Sequence, residues 1–147
     1  MPESSQSEPR ALEPRTDDKI AGWLLLLCRL LIVFHPLSLA ITASNTLGAL
    51  AVRGAPVAMI LVWRLLVVAL GVAAGLALQR ARPGAVRLAT VALIASALTD
   101  LFVYTTPYFP NNRPPGDTPL YLVASLTYHA LWIGYLMRSK RVRMTFG

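Results

Sequence analysis

Five ionisable side chains interrupt the apolar stretches of this 147-residue chain: Arg29, His35, Arg64, Asp100 and His129. Imidazoles exchange protons near neutral pH, and a carboxylate attracts a guanidinium strongly where the dielectric is low. Inside a membrane these residue types build proton relays, anion sites or ion pairs between helices. Arg64 and Asp100 are the natural opposite charges. Either alone would cost at least about 2.5–3.5 kcal/mol on membrane-insertion scales. Two readings of that pair stand side by side, a proton or anion site and an ion pair that fixes helix register, and the sequence leans to the structural pair.

Other chemistry is scarce. Two histidines on different helices invite a bis-histidine haem, but two such residues specify no ligand, so no cofactor and no metal site are expected. The chain carries no His-Glu-x-x-His, no cysteine pair, no phosphate-binding loop and no Gly-x-Ser-x-Gly. No catalytic residue is assigned and a non-enzymatic protein is expected. The lone cysteine, Cys28, falls in an apolar run and reads as a packing residue.

The elements that must position these groups are membrane helices. Hydrophobic residues make up 55% of the chain and charged residues 14%. A soluble domain carries about a quarter charged residues, so a water-soluble fold is excluded, as is disorder throughout. Four apolar runs, at about 20–43, 56–78, 85–106 and 119–137, are each long enough to cross a hydrocarbon core of about 30 Å. The first is too long for a secretory leader and is interrupted by Arg29. Asn45 and Gly48 weaken helix beyond it, Pro56 suits the first turn of the second run, and Pro83-Gly84 marks a tight basic turn. The prolines at 107, 110, 114 and 115 predict a kinked, extended loop. The expected fold is all-α: an up-and-down four-helix transmembrane bundle over 20–137, with a disordered N-terminal tail (1–19) and a basic C-terminus (138–147).

Charge sets the expected orientation. Ten basic residues flank one side: Arg10, Arg15, Lys19, Arg80, Arg82, Arg87, Arg138, Lys140, Arg141 and Arg143; Arg53 and Arg113 lie on the other. The positive-inside rule then puts both termini in the cytoplasm, in the cell inner membrane. The net charge of +7 is therefore an orientation and lipid-contact signal, and no nucleic-acid partner is expected. His35, Arg64, Asp100 and His129 would each lie about 9–15 Å from the outer end of their helices, with Arg29 nearer the cytoplasmic side. Helical spacing sets Arg64, Val68, Gly71 and Gly75 on one stripe of the second helix, the two glycines forming a GxxxG. Cys28, Leu31, His35, Ser38 and Thr42 share a stripe of the first, and Tyr121, Ser125, Tyr128, Trp132 and Tyr135 one of the fourth. Ser96 and Tyr104 flank Asp100 by one turn.

The end of the chain, Trp132-Ile133-Gly134-Tyr135 followed by Ser139-Lys140-Arg141-Val142-Arg143-Met144-Thr145-Phe146, resembles the closing signature of the domain-of-unknown-function 2569 (DUF2569) family of small bacterial membrane proteins. Ala21-Gly22-Trp23-Leu24 is similar to its Gly-Gly-Trp-Leu opening, and Pro36-Leu37 to its mid-helix Pro-Leu. The resemblance covers most of residues 20–146. It implies a four-helix inner-membrane protein and no activity. The leading functional expectation is an accessory or structural subunit acting through lipid and helix contacts, with a membrane-protein partner or a second copy. Its rival is a small proton-coupled transporter using His35, Arg64, Asp100 and His129.

Overall fold

In the computed structural model the described residues are 22–106 and 116–146, and all regular structure among them is helical. Four helices are long and apolar enough to cross a membrane: α1 (Trp23–Arg53), α2 (Ala55–Gln79), α3 (Ala85–Thr105) and α4 (Thr118–Arg138). A short helix, α5 (Lys140–Phe146), closes the chain. The expected disordered tail (1–19) and the proline-rich stretch at 107–115 lie outside the described residues.

The first helix departs from its expected end at residue 43. It continues through Asn45 and Gly48 to Arg53, so its 31 residues extend about 46 Å at 1.5 Å per residue. Asn and Gly each cost only about 0.7–1 kcal/mol in a helix, less than leaving backbone amides unpaired in an apolar medium. Thr42 and Thr46 donate their hydroxyls back to the carbonyls of Ser38 (2.9 Å) and Thr42 (2.6 Å). Gly54 ends the helix at φ 63°, and Pro56 starts α2 in its first turn. The expected linker therefore shrinks to one glycine. Within α1, Leu30–Phe34 form a π-helical turn. Pro36 explains it: the ring removes an N–H and crowds the carbonyl four residues earlier, and a wider turn relieves the clash.

The basic turn after α2 is a Schellman motif. Arg82 N–H bonds the Ala77 carbonyl and Ala81 N–H the Leu78 carbonyl, both at 3.0 Å. Ala81 occupies the left-handed position at φ 47°, where glycine is usual.

Backbone packing follows chain order, α1 on α2, α2 on α3 and α3 on α4, the pattern of an up-and-down bundle. The inward stripe of α3 is made of small residues: Ala85, Ala89, Ala92, Ser96 and Thr99 are all buried. They let neighbouring helices approach closely. The apolar core gathers at one end of the bundle around Leu24, Leu27, Leu31, Leu78, Leu93 and Leu136. Val142 of α5, 2% exposed, reaches into the same core. The C-terminal basic segment, expected only as a flank, thus caps that end. A Cβ on Gly22 would lie 3.3 Å from Arg141 Nη1, so the start of α1 meets α5 directly. This is the basic end; Gly54, the end of α3 and the start of α4 lie at the far end. The outer surface is apolar, with Val33, Val62, Leu66, Leu98, Val123 and Leu131 exposed, as a membrane-embedded bundle requires.

Candidate functional site

Above the apolar core, toward the far end, the four helices surround a cavity of about 260 Å³. That volume has room for several waters or a small solute. His35 and Ser38 of α1, Arg64 of α2, Asp100 of α3 and Ser125 and His129 of α4 all line it. The four ionisable residues singled out from sequence are therefore brought together, each from a different helix. They stand about 14–23 Å along their helices from the basic end. His35 sits farther from the tip of α1 than its expected depth, because that helix runs on to Arg53.

Arg64 Nη2 lies 3.6 Å from Asp100 Oδ1, with the two side chains 17% and 21% exposed. The expected pair is formed. The other carboxylate oxygen, Oδ2, accepts a 2.6 Å hydrogen bond from Ser125 Oγ. Both oxygens of Asp100 thus have a partner, which lowers the cost of carrying charge in this setting.

His129 is 4% exposed. Its Nδ1 lies 2.8 Å from the Ser125 carbonyl oxygen. A carbonyl only accepts, so in the neutral ring Nδ1 carries the proton and Nε2 is left as the acceptor. Ser125 Oγ stands 3.5 Å from His129 Nδ1, and its own proton points to Asp100. Serine, histidine and aspartate are therefore present together, but the hydroxyl is not presented to an imidazole base. That is not the arrangement of an activated nucleophile.

A Cβ on Gly71 would lie 3.6 Å from His35 Nδ1, an ordinary contact distance, so the imidazole packs against α2 at this glycine. Below the cavity a chain of rings runs to the basic end. Tyr128 meets His129 edge-on at 5.1 Å and Trp132 at 6.3 Å, and Trp132 meets Tyr135 at 5.9 Å and Trp23 at 6.4 Å. Tyr128 also lines the cavity, and its hydroxyl is buried.

Arg29 stands apart, exposed on the outer surface and outside the cavity. Thr99 was not singled out from sequence. It lines the cavity, donates to the Ala95 carbonyl at 2.7 Å and accepts from Trp63 Nε1 at 2.9 Å, tying α2 to α3. Its place one residue before Asp100 on the small-residue stripe of α3 is the signal that could have found it. Among the described residues no group of three or more His, Cys, Asp or Glu is placed to hold a metal ion.

No family model, curated protein or solved structure matches this chain. A bundle of this kind is compatible with many activities, so the site's own chemistry has to carry the functional reading.

Proposed function

We propose that this chain is a multi-pass bacterial inner-membrane protein of the DUF2569 type, non-enzymatic, with both termini cytoplasmic. In this reading it takes up a small polar solute from the periplasmic side, with proton exchange at Asp100 and the two histidines. The observation that carries it is the cavity in which His35, Arg64, Asp100 and His129 converge from four helices. Such groups are costly in a bilayer, and a hydrated, solute-binding site is a use that accounts for them. The apolar core beneath it would separate the site from the cytoplasm, as expected of a carrier at rest in one facing state.

The accessory-subunit reading rests on the chain's small size, the absence of catalytic motifs and the GxxxG stripe. In the folded chain α1 covers that stripe: a Cβ on Gly75 would lie 2.8 Å from Ile32 Cγ1. The glycines serve the bundle itself, which removes one support for an external partner helix.

The test is reconstitution of the full chain in liposomes. Charge movement is recorded on solid-supported membranes while amino acids, small carboxylates and monovalent cations are presented in turn. A solute-evoked current lost in Asp100→Asn and His129→Ala, and kept in Arg29→Gln, is expected. Silence to every solute, together with a stoichiometric partner in complexes isolated from native membranes, would overturn the carrier reading in favour of an accessory subunit. Orientation is tested separately. A fluorescent fusion at the C-terminus should be active and a phosphatase fusion between Asn111 and Asn112 should be active; the reverse pattern would invert the topology.

A further inference from the structure

A second cavity, of about 380 Å³, opens between α2 and α3 at the basic end, well away from the central site. Its mouth carries Arg80 and Arg82, and its floor is Ala73, Leu76, Ala77 and Leu88. The floor runs about 10 Å down the helices from Arg80. Two cations therefore sit where the chain leaves the apolar span, above a groove of aliphatic side chains.

The turn fixes the backbone that carries these cations. Arg80 and Arg82 flank Ala81 in the Schellman turn, the amides of all three residues are hydrogen-bonded to carbonyls of α2, and Pro83 restricts the next φ. Both arginines are exposed. Among the described residues the only side-chain carboxylates are Asp100, in the central cavity, and Asp117, at the far end. No carboxylate at this end of the described structure neutralises the pair. Two guanidinium groups carried on one short turn suit the chemistry of a phosphate, and the aliphatic groove below suits an acyl chain.

We infer that the α2–α3 turn is a binding site for one anionic phospholipid, its phosphate on Arg80 and Arg82 and an acyl chain along Leu76 and Leu88. A basic pocket between helices, placed at the membrane boundary, is the arrangement that distinguishes a lipid site from general surface attraction. Inorganic phosphate shares the headgroup chemistry but leaves the aliphatic floor empty. The basic residues of α4 and α5 at the same end, Arg138 and Lys140, do not line this groove and serve as the internal control.

The experiment is native mass spectrometry of the full-length protein released from nanodiscs of equal parts phosphatidylglycerol and phosphatidylcholine with matched chains. The wild type should retain one phosphatidylglycerol in preference to phosphatidylcholine. Arg80→Gln with Arg82→Gln should lower that retention by about tenfold or more, since each basic residue near the surface contributes about fivefold. Arg138→Gln with Lys140→Gln should leave it within about twofold, although the charge removed is the same. Leu88→Trp, which keeps both arginines and fills the floor, should also lose the lipid. Equal retention of the two lipids, or equal losses in the two double variants, would overturn the site. Displacement of phosphatidylglycerol by millimolar inorganic phosphate, or retention in Leu88→Trp, would overturn the acyl-chain half of the inference.

Discussion

The packing of α1 on α2 makes opposite predictions for two glycines one turn apart. At Gly75 an added Cβ would lie 2.8 Å from Ile32 Cγ1, 3.1 Å from Leu31 Cβ and 3.2 Å from the Cys28 carbonyl oxygen. Carbon atoms settle at about 3.5–4.0 Å, so α1 must retreat by roughly half an ångström or more. The close atoms belong to backbone, to a Cβ and to a stiff β-branched side chain, so rotamer changes cannot absorb the strain. Overpacking of this kind costs about 1–3 kcal/mol, against about 0.5–1 kcal/mol gained by replacing a helical glycine with alanine. Gly75→Ala should therefore destabilise by about 1–2 kcal/mol. At Gly71 the nearest atoms are 3.6 Å (His35 Nδ1) and 3.8 Å (Leu31 Cδ2), which is ordinary contact. Gly71→Ala should be neutral or stabilising by up to about 1 kcal/mol. Reversible unfolding in mixed micelles with increasing SDS reads both. Equal stabilities, or the opposite order, would refute the described approach of α1 to α2.

Three further outcomes follow from particular contacts. Asp100→Asn alone should destabilise more than its combination with Arg64→Gln, the double variant losing about 1 kcal/mol less than the sum of the two single effects in the same unfolding assay; additive effects would separate the two side chains. Ala81→Gly should stabilise by about 0.5–1 kcal/mol, because glycine takes the left-handed position at φ 47° without the steric cost an alanine bears there; a loss of stability would contradict the turn. Val142→Asp should undock α5 and speed trypsin cleavage after Arg138 and Lys140, whereas Met144→Asp, at a position 81% exposed, should leave the cleavage rate unchanged.

Fold class was legible in composition and run length, because an apolar stretch of about 20 residues in a bilayer has only a helix with which to satisfy its own backbone. Three of the four spans fall within a residue or so of their expected limits for that reason. The first does not. Propensity and helix breakers suggested a stop near residue 43, while the helix runs on to Arg53 because unpaired backbone is costlier than an Asn and a Gly in a helix. The four intramembrane residues were legible too, since ionisable groups in apolar runs stand out against everything around them. Their convergence was not, because helical periodicity defines a face of one helix and leaves open which neighbour it meets. Only tertiary packing set Asp100 between Arg64 and Ser125, turned His129 Nδ1 to a backbone carbonyl, and spent the GxxxG stripe on α1. The same holds for the basic segments of the chain. Sequence alone marks them as charge, and packing decides that Val142 anchors α5 in the core while Arg80 and Arg82 frame a groove. Those outcomes depend on which apolar surfaces meet, and that information lies between elements that are distant in sequence.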